Sequence, residues 1–171
     1  MRIVIKLGTS TLTHETGNLN IRRVELLCKV MSDIKNAGHE IILVSSGAIG
    51  MGVGKLGLHA RPDDIPSKQA VAAVGQCELM YIYDKLFDEY HHTVAQILIT
   101  GDDLDNERYR DNFSNTIYKL LDYGALPIIN ENDTVATDEI VIGDNNEPAA
   151  ALVLLVLSAS ILGAGLFFGR K

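Results

Sequence analysis

Four short apolar runs punctuate this chain: the opening Ile3, Val4 and Ile5, then Glu40-Ile-Ile-Leu-Val44, residues 93–100, and Leu126-Pro-Ile-Ile129. Each is too short for a stable helix, and the β-branched, nearly continuous hydrophobicity suits strands covered on both faces. Stretches of helical period separate them, so neighbouring strands can pair in parallel, with the helices as crossovers. The pattern predicts an α/β protein: a three-layer α/β/α sandwich with a mainly parallel central sheet.

The helical segments can be placed from their periodicity. Val24, Leu27, Cys28, Met31 and Ile34 recur at helical spacing after Ile21, and Gly38 supplies a stop. Ser67 is the expected N-cap of a long helix reaching about Tyr90, with Ala70, Val71, Val74, Cys77, Tyr81 and Leu86 on or near its apolar face. Asp102 or Asp103 is expected to cap another, whose inward stripe is Phe113, Ile117, Leu120 and Leu121 before Gly124. Residues 13–20 are polar and read as a loop or short hairpin.

A length of 171 residues with 47% hydrophobic and 22% charged side chains is that of a globular chain with one sizeable core. A formal net charge of -7 argues against a general nucleic-acid binder. Cys28 and Cys77 lack metal-ligand spacing and fit reduced, buried thiols. With no apolar signal region at Met1, a cytoplasmic location is the expectation.

Chemistry is suggested at three strand ends. Lys6 interrupts an apolar strand, and a buried ammonium is costly unless it snorkels to solvent or meets an anion. Gly8 permits close backbone approach, and Thr9, Ser10 and Thr11 add hydroxyls and amides suited to phosphate; a plain edge strand with a surface lysine is the competing account. Beyond Val44, residues 45–57 hold five glycines, explained either by ligand binding or by close helix packing. The Gly52-x-Gly54-x-x-Gly57 spacing begins too far past the strand to be a dinucleotide fingerprint, and Leu56 after Lys55 excludes a P-loop. Ser45, Ser46 and Gly47 stand where a helix N-terminus can offer amides to an anion. Asn130-Glu-Asn-Asp133-Thr134 follows the fourth strand directly, at the end where open α/β sheets bind ligands, although Asx turns alone would account for such a cluster. Residues 138–142 could form a hairpin arm leading to Gly143-Asp-Asn-Asn146, a second polar cluster.

Taken together, Ile-Lys6-Leu-Gly-Thr-Ser, Val-Ser-Ser46-Gly-Ala-Ile-Gly, Lys68-Gln-Ala with the later Gly75-Gln76, and Ile-Asn130-Glu-Asn-Asp133-Thr-Val-Ala resemble the glutamate 5-kinase (gamma-glutamyl kinase) family of the amino-acid kinase fold. The resemblance is close from Met1 to about Asn145. It implies ATP-dependent phosphorylation of the side-chain carboxylate of L-glutamate, the first step toward proline, with ATP and Mg2+ required and a homo-oligomer as the assembly. It further implies that Lys6 touches the transferring phosphate with Gly8 and Thr9 beside it. Ser46, Gly47, Asp133 and Asn145 would hold glutamate, with Asn130 close by, and no metal-ligand set is expected in the chain itself.

The chain departs from the family at Asn146, where relatives carry an aspartate, and nothing resembling their nucleotide-binding half follows. The expectation is therefore an amino-acid kinase domain over 1–146 with impaired transfer, and a divergent tail over 147–171. Its residues 149–168 carry no charge, long enough for a membrane-spanning helix ahead of Arg170 and Lys171. The other accounts are a core helix and strand within 152–168, or a tail never selected to fold. A non-catalytic glutamate-binding or subunit-interaction fragment is the functional alternative.

Overall fold

The computed structural model describes residues 1–14, 18–136 and 166–168. In chain order the elements are β1 (Arg2–Leu7), α1 (Thr9–Leu12), α2 (Ile21–Asn36), β2 (Glu40–Val44), α3 (Ala48–Leu56), α4 (Ile65–Asp88), β3 (Val94–Ile99), α5 (Gly101–Asp105), α6 (Glu107–Asp122), β4 (Leu126–Glu131) and β5 (Leu166–Phe168). The strands form one sheet in the order β3-β4-β2-β1-β5. Among the described residues every pairing between these strands is parallel. The four strands expected from sequence all form. Their C-terminal ends, and the loops that follow, therefore share one edge.

The pleat divides the core into two layers. Ile5, Leu7, Ile41, Leu43, Leu126 and Ile128 face α2 and α4, where Val24, Cys28, Met31, Leu79, Tyr83 and Phe87 meet them. Val4, Ile42, Val44 and Ile129 face the other way, against Phe113, Ile117 and Leu121 of α6. β4 is buried along its whole length, the apolar Leu126–Ile129 as an interior strand requires, and the polar Asn130 and Glu131 at its exit as well. Arg2 closes the opposite edge with a 2.8 Å ion pair to Glu40 and its guanidinium 4.9 Å from the Tyr118 ring centroid.

Several local expectations are corrected. Asp64, not Ser67, caps α4: its carboxylate accepts from the Ser67 N–H at 2.9 Å, and that bond holds its pKa below the ordinary value. Pro66 sits in the first turn, where its missing N–H does no harm. The buried stripe of α4 is Val71, Ala72, Gly75, Gln76, Leu79, Tyr83 and Phe87, while Ala70 and Cys77 are exposed and Tyr81 is 61% exposed. This helix carries apolar residues all round, so its periodicity does not single out one face. Thr100 caps α5, with Asp103 completing a reciprocal capping box, and Asn106 caps α6. Residues 13–20 contain the short-hairpin alternative, an antiparallel bridge between Thr13 and Leu19.

At the C-terminus, Leu166–Phe168 runs parallel to β1, pairing Leu166 with Ile5. A membrane helix through residue 168 is thereby excluded in its last three residues, which are strand, as in the core alternative. The boundary at residue 146, the hairpin arm, Asn145, Asn146 and residues 149–165 lie outside the described residues. Among the described residues no helix is long and apolar enough to cross a membrane.

α3 and α4 meet through glycines. A Cβ on Gly75 would fall 1.7 Å from the Ala48 carbonyl oxygen and 2.4 Å from the Gly52 nitrogen, and one on Gly52 would fall 1.9 Å from the Val71 oxygen. Packing therefore explains Gly52. Gly75→Ala is expected to lower unfolding stability by about 3 kcal/mol or more, because backbone must move to admit the methyl. Gly50→Ala, whose Cβ would lie 3.7 Å from Thr9 Cγ2, is expected to stay within about 1 kcal/mol of the parent; urea midpoints compare the two.

Burial also separates the cysteines. Cys28 is 1% exposed and desolvation pushes its thiol up to about 12, whereas Cys77 is exposed, correcting the expectation of two buried thiols. A raised folded pKa leaves this group's contribution to stability intact below the ordinary 9.0, and it declines as pH climbs toward 12. Iodoacetamide at pH 8 is expected to modify one thiol per folded chain, and the second only on unfolding, as read by intact mass.

Candidate active site

The sheet register brings the ends of β1, β2 and β4, which carry or precede the described residues predicted for the site, to one edge. Lys6 is level with Val44, Val44 with Ile129, and Ile129 with Ile97. One step onward stand Leu7, the last residue of β1, Ser45, the first residue past β2, and Asn130, the penultimate residue of β4. Ser45 N–H still donates to the Ile129 oxygen at 2.8 Å, which fixes the β2 exit against β4. β1 and β4 flank β2, so their backbones stand about 10 Å apart.

Lys6 shares the face of Arg2 and Val4, that of α6. It is partly buried and makes no hydrogen bond or ion pair with any described residue. At Gly8 φ is -80° and a Cβ would meet nothing within 4 Å, so neither conformation nor packing among the described residues demands glycine there. Thr9 Oγ1 is buried with no partner among the described residues. A cation and a buried hydroxyl without partners among the described residues, beside an open backbone, fit a phosphate group in both charge and hydrogen-bonding capacity. Among the described residues no His, Cys, Asp or Glu cluster could hold a metal ion.

The β2 exit lies directly against this loop. Ser46 is 3% exposed, and its Oγ donates to the Leu7 carbonyl at 2.8 Å. Gly47, at φ +95°, is the N-cap of α3 in a left-handed conformation that favours glycine, and no side chain caps the helix there. A Cβ on Gly47 would lie 3.6 Å from Thr9 Cγ2. Lys6, Gly8, Thr9, Ser46 and Gly47 are thus neighbours along one rim. The Ser46 hydroxyl proton is engaged by the protein, leaving its oxygen lone pairs as acceptors.

The β4 exit is tied to α4 on the opposite face. Asn130 is 2% exposed and its Nδ2 donates to Gln76 Oε1 at 2.6 Å. Asn132 N–H donates to the Ile99 oxygen at 2.8 Å, and the turn through Asp133 closes with the Val135 and Ala136 amides on the Asn132 oxygen. Gln69 Nε2 reaches the Ala136 carbonyl at 3.3 Å, so α4 also braces the far side of this turn. Asp133 is partly exposed. Lys6 and Asn130 therefore share an edge but come to it from opposite faces, a separation that residue spacing does not reveal. Behind them Ser45 Oγ and Tyr83 OH are 2.9 Å apart, and burial raises the Tyr83 pKa well above its ordinary value.

Gln76 was legible only as part of a motif. The signal that could have singled it out is a polar side chain in the stripe Ala72, Gln76, Leu79, Tyr83, but the apolar residues on every side of α4 hide that stripe. The Thr9 hydroxyl, without a partner among the described residues, has no sequence signal at all, because partnering is a property of the packed loop.

An all-parallel sheet with two covered faces and ligand-competent loops at one edge is the architecture of a small-molecule-binding α/β protein. The family model described as the amino acid kinase family matches residues 1–162, and the chain belongs to that family. The match passes beyond the boundary expected at residue 146. Among individual proteins, the chain is 54% identical to a glutamate 5-kinase of Clostridium perfringens over 165 residues, covering 94% of this chain and 61% of that protein. It is 51% identical to a glutamate 5-kinase of Caldanaerobacter subterraneus, covering 95% of this chain and 43% of the relative, and 53% identical to one of Listeria welshimeri, covering 91% and 58%. The chain therefore spans roughly half the length of these curated relatives.

Proposed function

We propose that the chain binds L-glutamate at the C-terminal edge of its sheet and presents the side-chain carboxylate to the terminal phosphoryl group of ATP. The product is glutamyl 5-phosphate, the first intermediate toward proline. The single observation that carries this is Lys6, a partly buried cation with no counter-charge among the described residues, beside the Thr9 hydroxyl orphan. The similarity to glutamate 5-kinases supplies the substrate.

A carboxylate is already ionised at neutral pH, so the reaction needs no general base. One of its oxygens attacks the γ-phosphorus while the bond to the β-phosphate oxygen breaks and ADP leaves. What the protein must supply is position and neutralisation of the phosphoryl charge. Lys6 provides the charge, and Gly8 and Thr9 let the phosphoryl group sit against the backbone. The uncapped start of α3 at Gly47 suits a carboxylate, while Asp133 and the Ser46 oxygen, which can only accept, suit the substrate ammonium, with Asn130 close by and Asn145 assigned by family resemblance. Mg2+ bound to ATP contributes further charge neutralisation.

Isothermal titration with L-glutamate and with Mg-ATP, together with glutamate-dependent ADP release, tests the proposal. Lys6→Ala is expected to lower turnover by about 100-fold or more while leaving glutamate affinity within about threefold, as for loss of one transition-state contact. Unchanged turnover in that variant would remove Lys6 from the chemistry. Binding of glutamate without ATP turnover would assign the chain to the alternative, a glutamate-binding or subunit-interaction module.

Asp133→Asn is expected to weaken L-glutamate by about tenfold or more but to leave glutarate, which has no ammonium, nearly unaffected. Equal losses for both ligands would mean that residue 133 shapes the turn rather than reading the amino group.

A further inference from the structure

Gln76 is 7% exposed in the middle of α4, with Ala72, Leu79 and Tyr83 along the same stripe. An amide in that setting is unfavourable unless both ends are hydrogen-bonded. Only one end is. Oε1 accepts from Asn130 Nδ2 at 2.6 Å, while Nε2 is buried with no partner among the described residues. Because the two atoms share a carbon, the orphan donor stands beside Asn130 at the sheet edge where the candidate site lies.

We propose that Gln76 is a specificity-determining residue of that site: Nε2 donates to the α-carboxylate of the amino-acid substrate, while Oε1 holds Asn130 in place. This rests on the glutamate reading above and extends it. The choice of carboxylate follows from placement. Lys6 draws the phosphoryl acceptor toward β1 on the α6 face, whereas Gln76 meets Asn130 of β4 on the α4 face, with β2 between them. The two ends of one glutamate can divide between these positions; a single carboxylate cannot occupy both. A buried donor left without its acceptor penalises any ligand that lacks the α-carboxylate, which is how a polar pocket rejects analogues of similar shape.

The test titrates L-glutamate and its α-amide into the unaltered chain, Gln76→Met and Gln76→Glu. The unaltered chain is expected to prefer glutamate by at least about tenfold. Gln76→Met, similar in volume but without the amide, should lose about 10- to 100-fold in glutamate affinity and bring the two ligands within about threefold. Gln76→Glu keeps the size of the side chain and its acceptor, and can donate only while protonated. Its glutamate affinity should therefore fall as pH rises from 5 to 8, relative to the unaltered chain over the same range. Parental affinity and preference in Gln76→Met overturn the proposal. So does tighter glutamate binding by Gln76→Glu across the range, which would show that the position accepts from the ammonium instead. Failure of the unaltered chain to bind glutamate removes the substrate reading, and this proposal with it, whereas binding with no dependence on residue 76 removes this proposal alone.

Discussion

The approach of α3 to α4 through Gly52 and Gly75 is the contact on which the site depends. With no side chain between them, the two backbones come closer than any larger residue would allow, and Gly75 fits against the Ala48 carbonyl in the first turn of α3. One contact therefore sets two things. It fixes where α3 begins, and so where Gly47 and Ser46 stand beside the β1 loop. It also fixes the height of α4, and so the level at which Gln76 meets Asn130. A methyl group at residue 75 would have to displace one helix or the other, and either shift would part groups held by hydrogen bonds of 2.6 to 2.8 Å.

The sheet supplies the second constraint. Parallel pairing of every strand brings the exits of β1, β2 and β4 to one edge, and the order β4-β2-β1 puts the cationic exit and the amide-rich exit on either side of a buried central strand. The pleat then sends Lys6 and Asn130 to opposite faces. Such an arrangement can hold two anionic groups of one small ligand apart, one toward the Lys6 face and one toward the Asn130 face. The opposite edge is closed by Arg2 with Glu40 and Tyr118, a set that stabilises the sheet rather than opening it to a ligand.

Strand positions were legible because burial on both faces demands near-continuous apolar runs, and α2 and α6 because each has one apolar face. Caps were less so: several side chains near a helix start can serve, and Asp64, Thr100 and Asn106 prevailed over Ser67, Asp102 and Asp103 as N-caps through backbone geometry a few residues upstream. α4 misled because a helix apolar on all sides carries no phase. The glycines of residues 45–57 divided between both explanations, Gly52 serving packing and Gly47 the turn into α3.

By itself the sequence determined the α/β class, the parallel sheet and the list of chemically capable residues, since these follow from local hydrophobic period and from which side chains sit just past a strand. Only the tertiary structure decided which of them lack partners. That, among the described residues, Lys6 has no counter-charge and the Thr9 hydroxyl and one end of Gln76 have no partner, and that Cys28 is sealed while Cys77 is not, depend on neighbours distant along the chain. Satisfaction of a buried polar group is a property of the packed whole, and no stretch of sequence contains it.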